Sequence, residues 1–162
     1  QTKKILSGTV NKKIVGVSWK TINNSFLTKY RNIDLLELVQ NLDKKNIELV
    51  NLQYGPVVDE IKLVKNELNV DIKSIEEIDN FNDLDGLCSL IAACDVVITS
   101  QNITAHLAGA LGVDTRLLLS YISLPFWGYK NNYSHFYQSV KIYRQEKNKS
   151  WHEPIELLNE NL

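Results

Sequence analysis

Methionine is absent from this chain of 162 residues, cysteine occurs twice, and histidine and proline three times each. Cys88 and Cys94 fall in one helix-like stretch where they cannot meet. A disulfide scaffold is therefore excluded, and the cytoplasm is the expected compartment. So few histidines and cysteines make a structural zinc site unexpected, and neither a metal nor a cofactor is expected. Charge of one sign is also missing. Lys+Arg total 18 against 19 Asp+Glu, a net charge of −1, without the basic arm that would bind nucleic acid. No apolar run approaches the ~18–20 residues of a membrane span, so no transmembrane segment is expected, and the N-terminus lacks a signal-peptide core. A chain that begins at Gln1 and lacks methionine reads as a processed piece or fragment. What is present, 44% hydrophobic and 23% charged residues, is the balance of a globular domain.

Residues 1–12 are mostly polar and read as a lead-in, and residues 13–162 as one domain. The β-branched run 13–19 predicts a buried strand, as does the alternation over 47–52. Asp34 with Glu37 forms a capping-box pattern ahead of Leu35, Leu38, Val39 and Leu42 at helical spacing. Helices are expected over 58–68, after a cap at Asn82 or Asp83, and over 102–111, where Gly112 closes the helix. A brief strand is expected within 70–75, and further strands at 95–99, 116–119 and 140–143. Ser150 with Glu153, and Pro154 in the first turn, predict the cap of a last helix. Strand and helix alternate, which predicts an α/β fold: a three-layer, Rossmann-like domain with a mainly parallel sheet.

Ligands of such sheets bind beyond the strand carboxyl ends. Four loops lie there. Ser18-Trp19-Lys20 offers a hydroxyl and an ammonium to a phosphate, or else a solvated lysine beside an edge tryptophan. Gln53-Tyr54-Gly55 frames a nucleobase or is a plain turn. Gln101-Asn102-Ile103-Thr104 leads from a buried strand into a slim helix whose unpaired N–H groups suit a diphosphate. His106, one turn inside, faces that site or is a satisfied core residue. The aromatics Phe126, Trp127 and Tyr129 close over a ligand or cover the sheet. No P-loop and no G-x-G-x-x-G occurs. Asp59-Glu60 and Glu76-Glu77 read as solvated surface.

Taken in order, Val15 to Lys20, Arg31-Asn32-Ile33, Leu52 to Gly55, Ala92 to Ser100, Ala105 to Gly112, and Tyr143-Arg144-Gln145 with Trp151 resemble a known series. It is the C-terminal half of bacterial GT-B glycosyltransferases. The nearest likeness is to the tetratricopeptide-repeat-associated type, with heptosyltransferases more distant. The resemblance implies half of a GT-B fold that binds a nucleoside-diphosphate sugar for metal-independent glycosyl transfer. An N-terminal acceptor domain, with tetratricopeptide repeats, would be the missing partner. Carried over by position, Ser18, Trp19, Lys20, Asn102, Ile103 and Thr104 would face the diphosphate, with His106 beside it. Gln53, Tyr54 and Gly55 would flank the base. Arg31 and Lys20 would neutralise the leaving phosphate. The chain departs from the pattern at Gln101-Asn102, where relatives often carry Asp-Thr, and at Gly86-Leu87 and Asp114. The lost carboxylate at Gln101 leaves a second reading open, a degenerate module that binds a nucleotide or partner and transfers nothing.

Overall fold

Branched apolar runs build the sheet, and amphipathic segments between them cover its faces. The computed structural model describes residues 12–23, 26, 28–147, 150–160 and 162, so the lead-in up to residue 11 lies outside the described residues. The strands are β1 (Lys13–Ser18), β2 (Ile47–Asn51), β3 (Ile72–Lys73), β4 (Val96–Ser100), β5 (Thr115–Leu119) and β6 (Val140–Arg144). The helices are α1 (Leu35–Asn41), α2 (Val58–Leu68), α3 (Leu84–Ala93), α4 (Ile103–Ala110) and α5 (His152–Asn159). The six strands lie in the order β3-β2-β1-β4-β5-β6, and every neighbouring pair is parallel. This is the expected three-layer α/β architecture, with Ile14, Val97 and Leu118 on interior strands. No helix among the described residues is long and apolar enough to cross a membrane.

Alternation along the strands separates the two faces. Val15, Val17, Leu49, Val96, Ile98 and Leu118 pack with Leu35 and Leu38 of α1, Val64 of α2, and Ile155 and Leu158 of α5. Ile14, Val50 and Val97 point the other way, onto Leu87, Leu90 and Ile91 of α3 and Ala108 of α4. Burial of each such side chain stabilises by about 1.5–3 kcal/mol, and strands covered on both faces read as nearly continuous apolar runs.

Helix starts follow local chemistry. The Asp34 carboxylate accepts the Glu37 N–H at 2.9 Å, and Asp83, not Asn82, accepts that of Gly86 at 2.8 Å. The last helix departs from expectation. It starts at His152 after Trp151, without a side-chain cap, and Ser150 Oγ accepts the His152 N–H at 3.2 Å. Burial of the Trp151 indole in the core fixes where the helix begins and prevails over the Ser150/Glu153 pattern.

Both sheet edges are protected. β3 is only two residues long. Along β6, Asn132 accepts the Ile142 N–H and Ser134 donates to Val140 O, with an antiparallel bridge between Tyr133 and Lys141. The same loop replaces a covering helix over β5. Trp127, in the 3-10 turn Pro125–Trp127, is buried against Leu117 and Leu119. His106 lies among the rings of Trp127, Phe126 and Tyr137 at 4.9, 5.2 and 5.8 Å, and its Nδ1 is 3.2 Å from the Tyr137 hydroxyl. A Cβ at Gly109 would stand 2.5 Å from the Tyr137 ring, so the ring needs glycine there. From β6, Arg144 donates to the carbonyls of Gly128 and Asn131, each at 3.2 Å, and holds the loop down.

Two outcomes follow from these environments. Burial, aided by the Asp95 charge, pushes the Cys94 thiol up to about 12, and the thiol donates to Leu90 O. Iodoacetamide at pH 8 should therefore label the half-buried Cys88 in the native protein and spare Cys94 until denaturant is added, as read by mass spectrometry. Burial also lowers the His106 pKa below its ordinary 6.5. The unfolded chain then binds the proton more readily, so this contribution is present above pH 6.5 and is lost as pH falls through it. The Tm advantage of the wild type over His106→Phe should shrink between pH 7.5 and 5.5. A gap independent of pH would show that the imidazole titrates as in the unfolded chain.

Candidate functional site

Strand order reverses between β1 and β4, the position at which an open parallel sheet forms a crevice. The carboxyl ends of these strands meet in register at Ser18 and Thr99. Beyond Ser18 the chain bends and presents three donors: the Ser18 hydroxyl and the N–H groups of Trp19 and Lys20. All three converge on Gln53 Oε1, at 3.1, 2.9 and 2.9 Å. The Gln53 amide nitrogen turns to Tyr54 O at 3.0 Å, and its N–H donates to Asn51 Oδ1 at 2.9 Å. Gln53 thus joins the β2 end to the β1 end and is buried rather than facing a base.

Asn102 joins the third strand end. Its Oδ1 accepts the Thr104 N–H at 2.9 Å, which caps α4, and the Thr99 hydroxyl at 3.1 Å. Its Nδ2 donates to Ser18 Oγ at 2.8 Å and to Lys20 O at 3.2 Å. The Thr104 hydroxyl adds a bond to Ser18 Oγ at 3.3 Å. The residues expected to face a diphosphate are therefore brought together, but Ser18, Asn102 and Thr104 are buried and spend these polar atoms on one another. Trp19 is 0% exposed, so its indole belongs to the core.

Along the β1/β4 crevice, three groups stand out as open to an outside partner. An α-helix leaves its first N–H groups without internal acceptors, and the Asn102 cap takes only that of Thr104. Ile103, at the first helical position, is 49% exposed. Gln101 is 6% exposed, yet neither Oε1 nor Nε2 of its amide has a partner among the described residues. Such a group costs about 1–3 kcal/mol when buried unsatisfied and calls for an explanation. The third group is the Lys20 ammonium, which pairs with Glu60 Oε1. Glu60 Oε2 accepts the Trp19 indole N–H at 2.7 Å. Asp59 is exposed, as the reading of Asp59-Glu60 as solvated surface expects, but Glu60 departs from it and points back from α2 onto the β1 loop.

Arg31 follows the 3-10 turn Thr28–Tyr30, and its Nε is buried without a partner among the described residues. The neighbouring Ile33 N–H donates to Trp19 O at 2.9 Å, and Asn32 Oδ1 accepts the Thr21 N–H at 2.9 Å, so this segment is laced to the β1 loop. Gly55, with φ of +86°, adopts the left-handed turn that glycine favours. Tyr54 is half-buried, with its hydroxyl 3.2 Å from Thr21 Oγ1 and its ring 6.1 Å from that of Phe81. Phe81 is 62% exposed at this rim and is absent from the sequence reading. Its signal is an aromatic stranded in the polar turn between Asp79 and Asp83. Asn80 ties that turn to the β2 end through Asn51 O and Gln53 O. Hydrogen bonds from Asn82 and from the Phe81 and Asn82 N–H groups lower the Asp79 pKa. His106 sits in the aromatic cluster under the loop, with its Nδ1 turned to Tyr137.

One Asp-x-Asp triplet, Asp83-Leu84-Asp85, is present. Asp83 is engaged as the α3 cap, and no group of three or more His, Cys, Asp or Glu positioned to hold a metal ion occurs among the described residues.

Compared with known proteins, the chain matches no family model. It is 36% identical over 139 residues to the protein FlbA of Caulobacter vibrioides, covering 85% of this chain and 23% of that protein. Its structure is similar to the ADP-heptose lipopolysaccharide heptosyltransferase II of Escherichia coli, with a TM-score of 0.69 and 16% identity. That match covers 99% of this chain and 49% of the enzyme. The E. coli heptosyltransferase WaaC, solved with ADP, gives a TM-score of 0.68 at 13% identity, over 99% of this chain and 48% of that one. The chain thus spans about half the length of these solved structures and under a quarter of the curated relative. Its fold is heptosyltransferase-like.

Proposed function

We propose that the chain is the donor-binding, C-terminal half of a GT-B glycosyltransferase of the tetratricopeptide-repeat-associated type. It would act in the cytoplasm on a nucleoside-diphosphate sugar and without a metal. Residues 13–162 form the donor domain in this reading, and an N-terminal acceptor domain completes the cleft. The observation that carries it is the open N-terminus of α4 at the β1/β4 crevice, bordered by the buried, unpartnered Gln101 amide.

Negative charge grows on the diphosphate as the bond from its oxygen to the sugar carbon breaks. The helix N–H groups are aimed before the ligand arrives, which is where fixed dipoles stabilise a developing anion best. Lys20 and Arg31 supply positive charge. The acceptor hydroxyl attacks the sugar carbon and gives its proton to a base on the other half. Tyr54 and Phe81 offer ring faces to the nucleobase at the Gly55 turn, and His106 braces α4 from below. A degenerate binding module is the second reading. It is favoured by Gln101 where a carboxylate is expected and by the inward-turned polar groups of Ser18 and Asn102.

Calorimetry of the chain with ADP, UDP and GDP tests the site. A charge at buried Thr104 would disturb the fold, whereas Ile103 is half exposed at the head of the helix. Ile103→Glu suits the helix dipole and should leave circular dichroism unchanged while lowering nucleotide affinity about tenfold or more. Equal affinity would move the anion site elsewhere. Gln101→Leu should raise the Tm of the ligand-free chain, by relieving about 1–3 kcal/mol of unsatisfied burial, and weaken nucleotide-sugar binding. In the full-length protein, binding with no glycosyl transfer or donor hydrolysis would favour the module.

A further inference from the structure

From the placement of one carboxylate between an indole and an ammonium, we infer that Glu60 is a positioning residue for the donor site, acting through Lys20. This deepens the donor-site reading above and rests on it. Trp19 and Lys20 are adjacent on the loop that leaves β1, and Glu60 stands on α2, forty positions further along the chain. The Trp19 indole is fully buried, and its N–H requires an acceptor. Glu60 Oε2 supplies it at 2.7 Å. The indole is immobile in the core, so this bond fixes the carboxylate plane and with it the second oxygen, Oε1. Lys20 Nζ docks on that oxygen.

An ammonium has three donors. Glu60 takes one and leaves two for an arriving anion, so pairing aims the lysine without using it up. A lysine is otherwise a flexible point charge whose ordering opposes binding. The carboxylate removes that freedom beforehand at the mouth of the crevice. Lys20 O is bonded to Asn102, the cap of α4, so the aimed ammonium and the helix N-terminus share one rigid frame.

Two measurements on the whole chain test this. The first needs no ligand. Acetylation by an N-hydroxysuccinimide ester, read by mass spectrometry, should be slow at Lys20 beside the exposed Lys62 and rise to the Lys62 rate in Glu60→Gln, which keeps an acceptor for the indole. Unchanged protection overturns the inference. The second is a double-mutant cycle on ADP, UDP and GDP binding. Glu60→Gln should weaken the best of these about tenfold. In a Lys20→Met background the same substitution should have less than about a twofold effect, because the group it acts through is gone. Tryptophan fluorescence and circular dichroism check that the fold is retained.

Tighter binding by Glu60→Gln would mean that the carboxylate only repels anions, and an equal loss in both backgrounds would mean that it acts by another route. Either overturns the inference and leaves the donor site standing, as would wild-type affinity in Lys20→Met. A wild type that binds none of the three nucleotides overturns the donor reading itself, and Glu60's role falls with it.

Discussion

One buried carboxamide oxygen holds the crevice together. Gln53 Oε1 gathers the Ser18 hydroxyl and two successive backbone N–H groups where β1 ends, and Asn102 repeats the device from the β4 side. Three strand ends separated widely in sequence are thereby fixed to one another. Each bond contributes only about 0.5–1.5 kcal/mol net, but loss of the acceptor would strand buried donors at about 1–3 kcal/mol each. The network therefore matters more for the cost of breaking it than for the stability it adds. It also sets the direction in which Lys20 leaves the strand and the angle at which α4 begins.

Sequence and structure agree where the signal is local. The apolar periodicity over 58–68 gives α2 within the bounds Val58–Leu68, and Asp34 caps α1 as its spacing to Glu37 implies. They part where a side chain's partner lies far along the chain. Glu60 beside Asp59 has the look of a solvated pair, and only packing of α2 against the β1 loop reveals that it serves Trp19 and Lys20. Gln53 looks like a turn residue for the same reason. Ser150 fails as a cap because the adjacent Trp151 contributes more by burial than the cap bond would.

The site residues illustrate a second limit. Residue type shows that Ser18, Asn102 and Thr104 can donate hydrogen bonds, but not to whom. In the fold most of that capacity is satisfied internally, and the groups left over include a helix end, an amide at Gln101, the Arg31 Nε and one paired lysine. The crevice therefore combines neutral dipoles, from the helix end and the Gln101 amide, with the positive charge of Lys20 and Arg31.

The treatment of the sheet margins bears on how the domain behaves in solution. With β3 cut to two residues and β6 zipped against Asn132 and Ser134, neither margin among the described residues offers a long bare ladder on which a second molecule could template. Apolar side chains such as Ile22, Phe81, Ile103 and Tyr121 surface instead beyond the strand carboxyl ends. Contact between two copies of the domain would then be made by side chains rather than by an added strand.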